Sequence, residues 1–198
     1  HKTNKSSLFS TDPWYEILGT SLHLSKTKIS NTRYKLVISI HLGNMNIWPD
    51  IEVLLAHFNQ TGYLIFYLFH LTDRSNQVIL TENLCILGIA NYVITTCSNR
   101  GMDLGGFFVH MDILLRLGVT AEVLFKFHTK SDTRWRRELV TSLAGNVYTI
   151  KQNVEHIIEH DSVVIPEKYM HNTRTDKYNL RILDFYRNTY GWVVPDYF

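Results

Sequence analysis

In three places this chain puts a histidine directly after an apolar run. His41 follows Leu36-Val37-Ile38-Ser39-Ile40, His70 follows Tyr63 to Phe69, and His128 follows Leu124-Phe125-Lys126-Phe127. A fourth run, Tyr92 to Cys97, passes into Ser98-Asn99-Arg100-Gly101, with Asp103 close behind. Asp73 comes shortly after His70, and Lys130 and Asp132 shortly after His128. Cations of this kind bind a diphosphate directly, or a divalent ion does so for them. A His or a carboxylate can take the proton from an attacking hydroxyl. Gly101, Gly105 and Gly106 permit close backbone approach to a ligand.

A second constellation is His156-Ile157-Ile158-Glu159-His160. It matches the His-x-x-Glu-His pattern of inverted zinc proteases. On a helix its two His lie at i and i+4, on one face. Such a centre needs a further downstream ligand, and only residues 161–198 follow. A zinc hydrolase is therefore the minor alternative, and the zinc content of the purified protein separates it from the main reading.

The elements that must position these groups can be read from the apolar pattern. Strands are expected at residues 36–41, 63–70, 92–97, 122–128 and 162–166, with a short one at 191–194. Helices are expected from Pro49-Asp50 to Phe58, over 104–117, over 133–160 with a break near Gly145, and over 175–188. Residues 78–90 read as mixed and helical. Gly62 and Gly118 punctuate the pattern. Strands alternating with helices imply an α/β fold with a mostly parallel central sheet flanked by helices. Ligands of such sheets bind beyond the carboxyl ends of the strands, which is where the polar groups above fall. Residues 1–34 read as a polar, poorly packed lead-in and 35–198 as one domain.

Composition narrows the classes. A chain of 198 residues suits one domain. With 45% hydrophobic and 19% charged residues it is an ordinary globular sequence and not a disordered one. A net charge of +2 gives no ground for a nucleic-acid partner. Two cysteines, Cys85 and Cys97, make no disulfide framework, so a reduced, cytoplasmic setting is expected. No apolar run is long enough to span a bilayer, and no signal peptide is apparent. The chain starts at His1 without Met, so further domains of the same polypeptide are expected. Several residues read as structural: His57 and His110 as surface or satisfied core groups, Cys97 as a small buried hydrophobe, and Arg134 to Arg137 as a solvated helix start with Trp135 near the donor. Tyr169 to Tyr178 reads as an acceptor-side loop.

Two segments carry a family resemblance. Ser98-Asn99-Arg100-Gly101-Met102-Asp103-Leu104-Gly105-Gly106-Phe107-Phe108 is followed by Phe125-Lys126-Phe127-His128-Thr129-Lys130-Ser131-Asp132 and then Trp135-Arg136. Together they resemble the rhamnan-synthesis-F-like glycosyltransferases, with an Asn-x-Gly-x-Asp-x-Gly-x-Phe segment, a helix, a strand ending in His-Thr-Lys and a nearby Trp-Arg. In general character the chain is also similar to capsid-glycan glycosyltransferases of large algal DNA viruses, which would place it in a host cytoplasm. The resemblance implies a GT-A-like fold. It implies transfer of rhamnose or a related hexose from a UDP-, dTDP- or GDP-sugar donor to a glycan or glycoprotein acceptor.

Under that resemblance Asn99, Arg100 and Asp103 contact the nucleotide or donor sugar, and His41 and His70 line its base and ribose end. Lys130 meets the diphosphate. His128 and Asp132 assist it or ligate Mn²⁺ or Mg²⁺, and Asp132 is the expected general base. Two departures stand out. Many GT-A enzymes hold their metal with Asp-x-Asp, which this sequence lacks. The family also continues past a segment like Gly191 to Phe198 with a glycine-containing strand near the acceptor. The competing expectation is a non-catalytic sugar- or protein-binding module on the same fold.

Overall fold

A computed structural model describes residues 15–20, 33–97, 102–129 and 132–164, with the backbone alone at 102, 103 and 135. The chain divides into two units, His1–Asp161 and Ser162–Phe198, and every element below belongs to the first. Five strands form one sheet: β1 (Tyr15–Thr20), β2 (Arg33–Leu42), β3 (Ile65–Leu71), β4 (Tyr92–Cys97) and β5 (Thr120–His128). Their spatial order is β1-β4-β3-β2-β5. β2 to β5 are mutually parallel, while β1 runs antiparallel to β4 with a bulge between Ile17 and Gly19.

The helices are α1 (Trp48–Gln60), α2 (Gln77–Ile86), α3 (Met102–Leu117), α4 (Thr133–Ala144) and α5 (Val147–His160). Local chemistry explains their limits. Pro49 sits in the first turn of α1, where its missing N–H costs nothing. Asn146 caps α5 by accepting from the Thr149 N–H at 2.9 Å. Gly62, Gly88 and Gly118 follow α1, α2 and α3 at positive φ, a conformation that glycine takes without strain.

The sheet is covered on both faces. One core joins Leu36, Ile38, Ile40, Tyr67, Phe69, Phe125 and Phe127 to Leu55 and Phe58 of α1, Leu84 of α2 and Ile150 of α5. Phe58 meets Phe125 edge-on at a centroid distance of 5.0 Å. The other core is smaller: Val37, Phe66, Leu68 and Val93 pack beneath Val109 and Ile113 of α3. α1 and α2 thus carry the chain from β2 to β3 to β4 on one face. α3 crosses the other face and delivers β5 to the far side of β2. The strand order therefore reverses between β2 and β5, which makes that gap the topological switch point.

Three expectations change. The polar lead-in contains β1, an edge strand fastened by Tyr15, whose hydroxyl donates to Asp112 of α3 at 2.5 Å. The pattern missed it because Tyr-Glu-Ile-Leu-Gly-Thr alternates weakly. The strand expected at 162–166 is not seen at 162–164, which carry no regular structure. The remaining expected elements, at 175–188 and 191–194, and the Tyr169 to Tyr178 loop lie outside the described residues.

The third change concerns Arg136. It was expected on a solvated helix start, yet its side chain is only 7% exposed. It clasps Asp50 of α1 through Nε at 3.0 Å and Nη2 at 2.6 Å, at the wall of a 180 Å³ cleft between α1 and α4. The pair is asymmetric, because Asp50 keeps 38% exposure. Asp50→Ala strands a buried guanidinium without this carboxylate and should cost about 1–2 kcal/mol. Arg136→Met leaves a carboxylate that water can solvate and should cost less. Urea midpoints of the two variants decide it, and equal losses would refute the asymmetry.

Candidate functional site

Strand register assembles the site. His41 is the in-register partner of both His70 on β3 and His128 on β5, and His70 is that of Thr95 on β4. In-register neighbours point to the same face. His128, His41, His70 and Thr95 therefore form one polar row across four parallel strands, one residue from their carboxyl ends at β2 and β3. The row continues the face that carries Val37, Leu68 and Val93 beneath α3.

Close packing of α3 makes the row compact. The His41 and His70 rings stack at 5.3 Å with an interplanar angle of 18°. His110 of α3 meets His70 edge-on at 6.0 Å. Gly106 is what lets the helix so near: a Cβ there would lie 2.7 Å from His70 Cδ2 and 2.8 Å from His41 Nδ1. Phe107 beside it lies near the Lys126 ammonium, 5.8 Å from the ring centroid.

The hydrogen bonds fix the tautomer of His70. Thr95 Oγ1 donates to the Phe69 carbonyl at 3.3 Å, so it accepts from His70 Nδ1–H at 3.0 Å. His70 Nε2 is left as an acceptor facing the Cys97 thiol at 3.5 Å. Burial, then the neighbouring His41, pushes the His70 pKa down to about 4. His110 shares a hydrogen bond of 2.8 Å between its Nδ1 and Ser39 Oγ. Its Nε2 is buried with no hydrogen bond of ordinary geometry among the described residues. Burial first, then His70, takes the His110 pKa down to about 3, against a smaller opposing pull from the Phe69 backbone. Burial likewise raises the pKa of the Cys97 thiol. At neutral pH the inner pair His70 and His110 is therefore uncharged.

The accessible side of the row lies at the switch point. His41 and His128 are half-buried there, whereas His70 is only 2% exposed. The two strand ends are tied together: Gly43 N–H donates to Thr129 Oγ1 at 2.7 Å, and Thr129 N–H donates to the His41 carbonyl at 3.0 Å. His41 and His128 can thus hydrogen-bond a ligand from a stiff edge, with His70 stacked on the His41 ring and His110 set edge-on against His70.

The expected site residues sort accordingly. His41, His70 and His128 come together, with His70 placed as a buried support and not at an open ribose end. Asp132 is exposed, just before α4. Asp103 belongs to the first turn of α3 by its backbone. Asn99, Arg100 and Lys130 lie outside the described residues. Asp73 is occupied in capping, accepting from the Ser75 N–H at 2.9 Å. Ser39, Thr95, Cys97 and His110 were not expected as partners of the row. Ser39 and Thr95 carried a signal: Ser39 sits two before His41, on the same strand face, and Thr95 is the polar residue that follows the run Tyr92 to Ile94. His110 carried none, because nothing in the sequence tells which strand α3 crosses.

Against known proteins, no family, no curated protein and no solved structure matches the chain.

Proposed function

We propose that the chain is a nucleotide-sugar-dependent glycosyltransferase built on a GT-A-like domain, moving rhamnose or a related hexose to a glycan acceptor. The observation that supports this most is the reversal of strand order between β2 and β5, with His41, Gly43, His128 and Thr129 at that gap. Open parallel sheets take nucleotides at this place. α3 packs on the row near its own start, with Gly106 against His41 and His70, and the first-turn N–H groups of a helix favour an anion. In this reading His41 and His128 hydrogen-bond the donor, and His70 positions His41. Asn99, Arg100, Asp103 and Lys130 contact donor and diphosphate, and Asp132 takes the acceptor proton. His128 and Asp132 make only two protein ligands for a divalent ion. Such an ion would draw its other positions from water and phosphate oxygens, as Mg²⁺ and Mn²⁺ commonly do.

A thermal-shift panel of UDP-, GDP- and dTDP-sugars, each with and without Mn²⁺ or Mg²⁺, tests the proposal. A ligand of the native state at a hundred times its dissociation constant adds about 2.7 kcal/mol of stability. One nucleotide should give that shift, and His41→Ala should abolish it. The paired arms read whether the ion is needed. Silence from every nucleotide would favour the non-catalytic binding module instead.

A further inference from the structure

His156 and His160 stand outside the site just described. Both are exposed on α5, and their rings lie 4.4 Å apart, tilted by 59°. The helix buries Ile150 and Val154, and at 100° per residue the two His fall well away from that buried face. Packing of the described residues therefore does not require them. The helix itself is well anchored: Asn146 caps its start, and Asp161 closes it with its N–H donated to the Ile157 carbonyl. Two imidazoles one turn apart on a fixed helix are a preformed bidentate chelate.

We propose that His156 and His160 form an open transition-metal site on α5, taking Cu²⁺, Ni²⁺ or Zn²⁺ between the two rings. The ligand class follows from the donors. Neutral imidazole suits Cu, Ni and Zn, whereas Mg²⁺ and Ca²⁺ seek carboxylate and carbonyl oxygen. Among the described residues no group of three His, Cys, Asp or Glu converges, so water completes the coordination sphere. The hydrolase centre that the His-x-x-Glu-His spacing suggested needs a third protein ligand in a shaped cavity, and among the described residues none converges on this exposed pair.

Isothermal titration of the whole chain with Cu²⁺, Ni²⁺, Zn²⁺ and Mg²⁺ tests the site, with His156→Gln and His160→Gln beside the parent. Gln is at least as good a helix former as His, so α5 should persist and circular dichroism will verify it. Cu²⁺ should bind tightest, as the Irving–Williams order requires, and Mg²⁺ should give no heat. Each variant should lose one Cu²⁺ equivalent or weaken it about tenfold or more. His57→Gln, on α1, should leave that equivalent intact. Unchanged Cu²⁺ affinity and stoichiometry in both α5 variants would overturn the proposal, because the binding would then belong to other histidines.

Discussion

Lowering the pH from 7 to 4 should remove several kcal/mol of the domain's stability. The cause is the pair His70 and His110, held uncharged in the fold with pKa values of about 4 and about 3. In the unfolded chain both return to about 6.5. Between those limits the unfolded state binds more protons than the folded one, so stability rises with pH across the window and falls on acidification. The contribution is fully present above about pH 6.5 and is lost as the pH falls toward the folded values. At about 1.4 kcal/mol for each tenfold change in proton affinity, His70 alone accounts for about 3 kcal/mol by pH 4. Against a typical total of about 5–15 kcal/mol, the two together bring the domain near its unfolding threshold. The side chains facing these rings agree with this direction, since His41, Ser39, Thr95 and Cys97 bring no carboxylate to stabilise an imidazolium, and only the Phe69 backbone pulls weakly the other way on His110. Asp73 and Glu122, whose hydrogen bonds to Ser75 and Lys35 lower their pKa values, lose their contributions only at lower pH, within the carboxylate range. Urea midpoints from pH 7 to pH 4.5 measure the slope. His110→Gln keeps a hydrogen-bonding partner for Ser39 and should reduce that slope by up to one proton. A wild-type stability that stays flat between pH 6.5 and pH 4.5 would show that the cluster is not held neutral.

How much of this was legible in the sequence depends on range. The β-branched and aromatic runs at β2 to β5 are local signals, and each strand's core formed close to its expected place. The break at Gly145 also divided α4 from α5 as the pattern implied. Three strands that each carry His at or near their end marked His41, His70 and His128 before any register was known. What the sequence withheld was which strands are neighbours. Register turned three separate His into a row, and only the crossing of α3 over β2 and β3 could add His110. The same holds for Arg136. Inside Arg134-Trp135-Arg136-Arg137 it looks like any charge in a basic run, and only the approach of α1 supplies Asp50 and buries it. β1 was missed for a related reason. An edge strand needs little apolar alternation of its own when Tyr15 can reach a carboxylate on α3, and the resulting contacts push the Tyr15 pKa up to about 12, first by burial and then by Asp112.

Gly106→Val should destabilise the domain by about 3 kcal/mol, which at this chain length lowers the melting temperature by about 6–12 °C. Helix propensity argues the other way, since a side chain in place of an interior glycine usually gains a fraction of a kcal/mol or more. The sign is set by space. The first added carbon would already sit at 2.7–2.8 Å from the stacked His41 and His70 rings, and neither ring is the tip of a long flexible chain. His70 is further fixed by Thr95 and Cys97, and His41 lies between its in-register neighbours on β3 and β5. Either α3 must lift or the row must part. If α3 lifts, the contacts of Val109 and Ile113 with the smaller core weaken; if the row parts, the geometry proposed for donor binding goes with it. The Gly106→Ala variant meets the same first carbon with better propensity and should cost about 1 kcal/mol. A double-mutant cycle identifies the clash as the cause. In a His70→Ala background one of the two rings against Gly106 is gone and only His41 remains, so Gly106→Val should cost at least about 1 kcal/mol less than in the parent. Losses that simply add would mean that the helix, and not the histidine row, bears the strain. The nucleotide-sugar thermal shift, measured on Gly106→Ala while it is still folded, then reads the second consequence. Lost binding in a folded variant ties the close approach of α3 to the site, and retained binding confines Gly106 to packing.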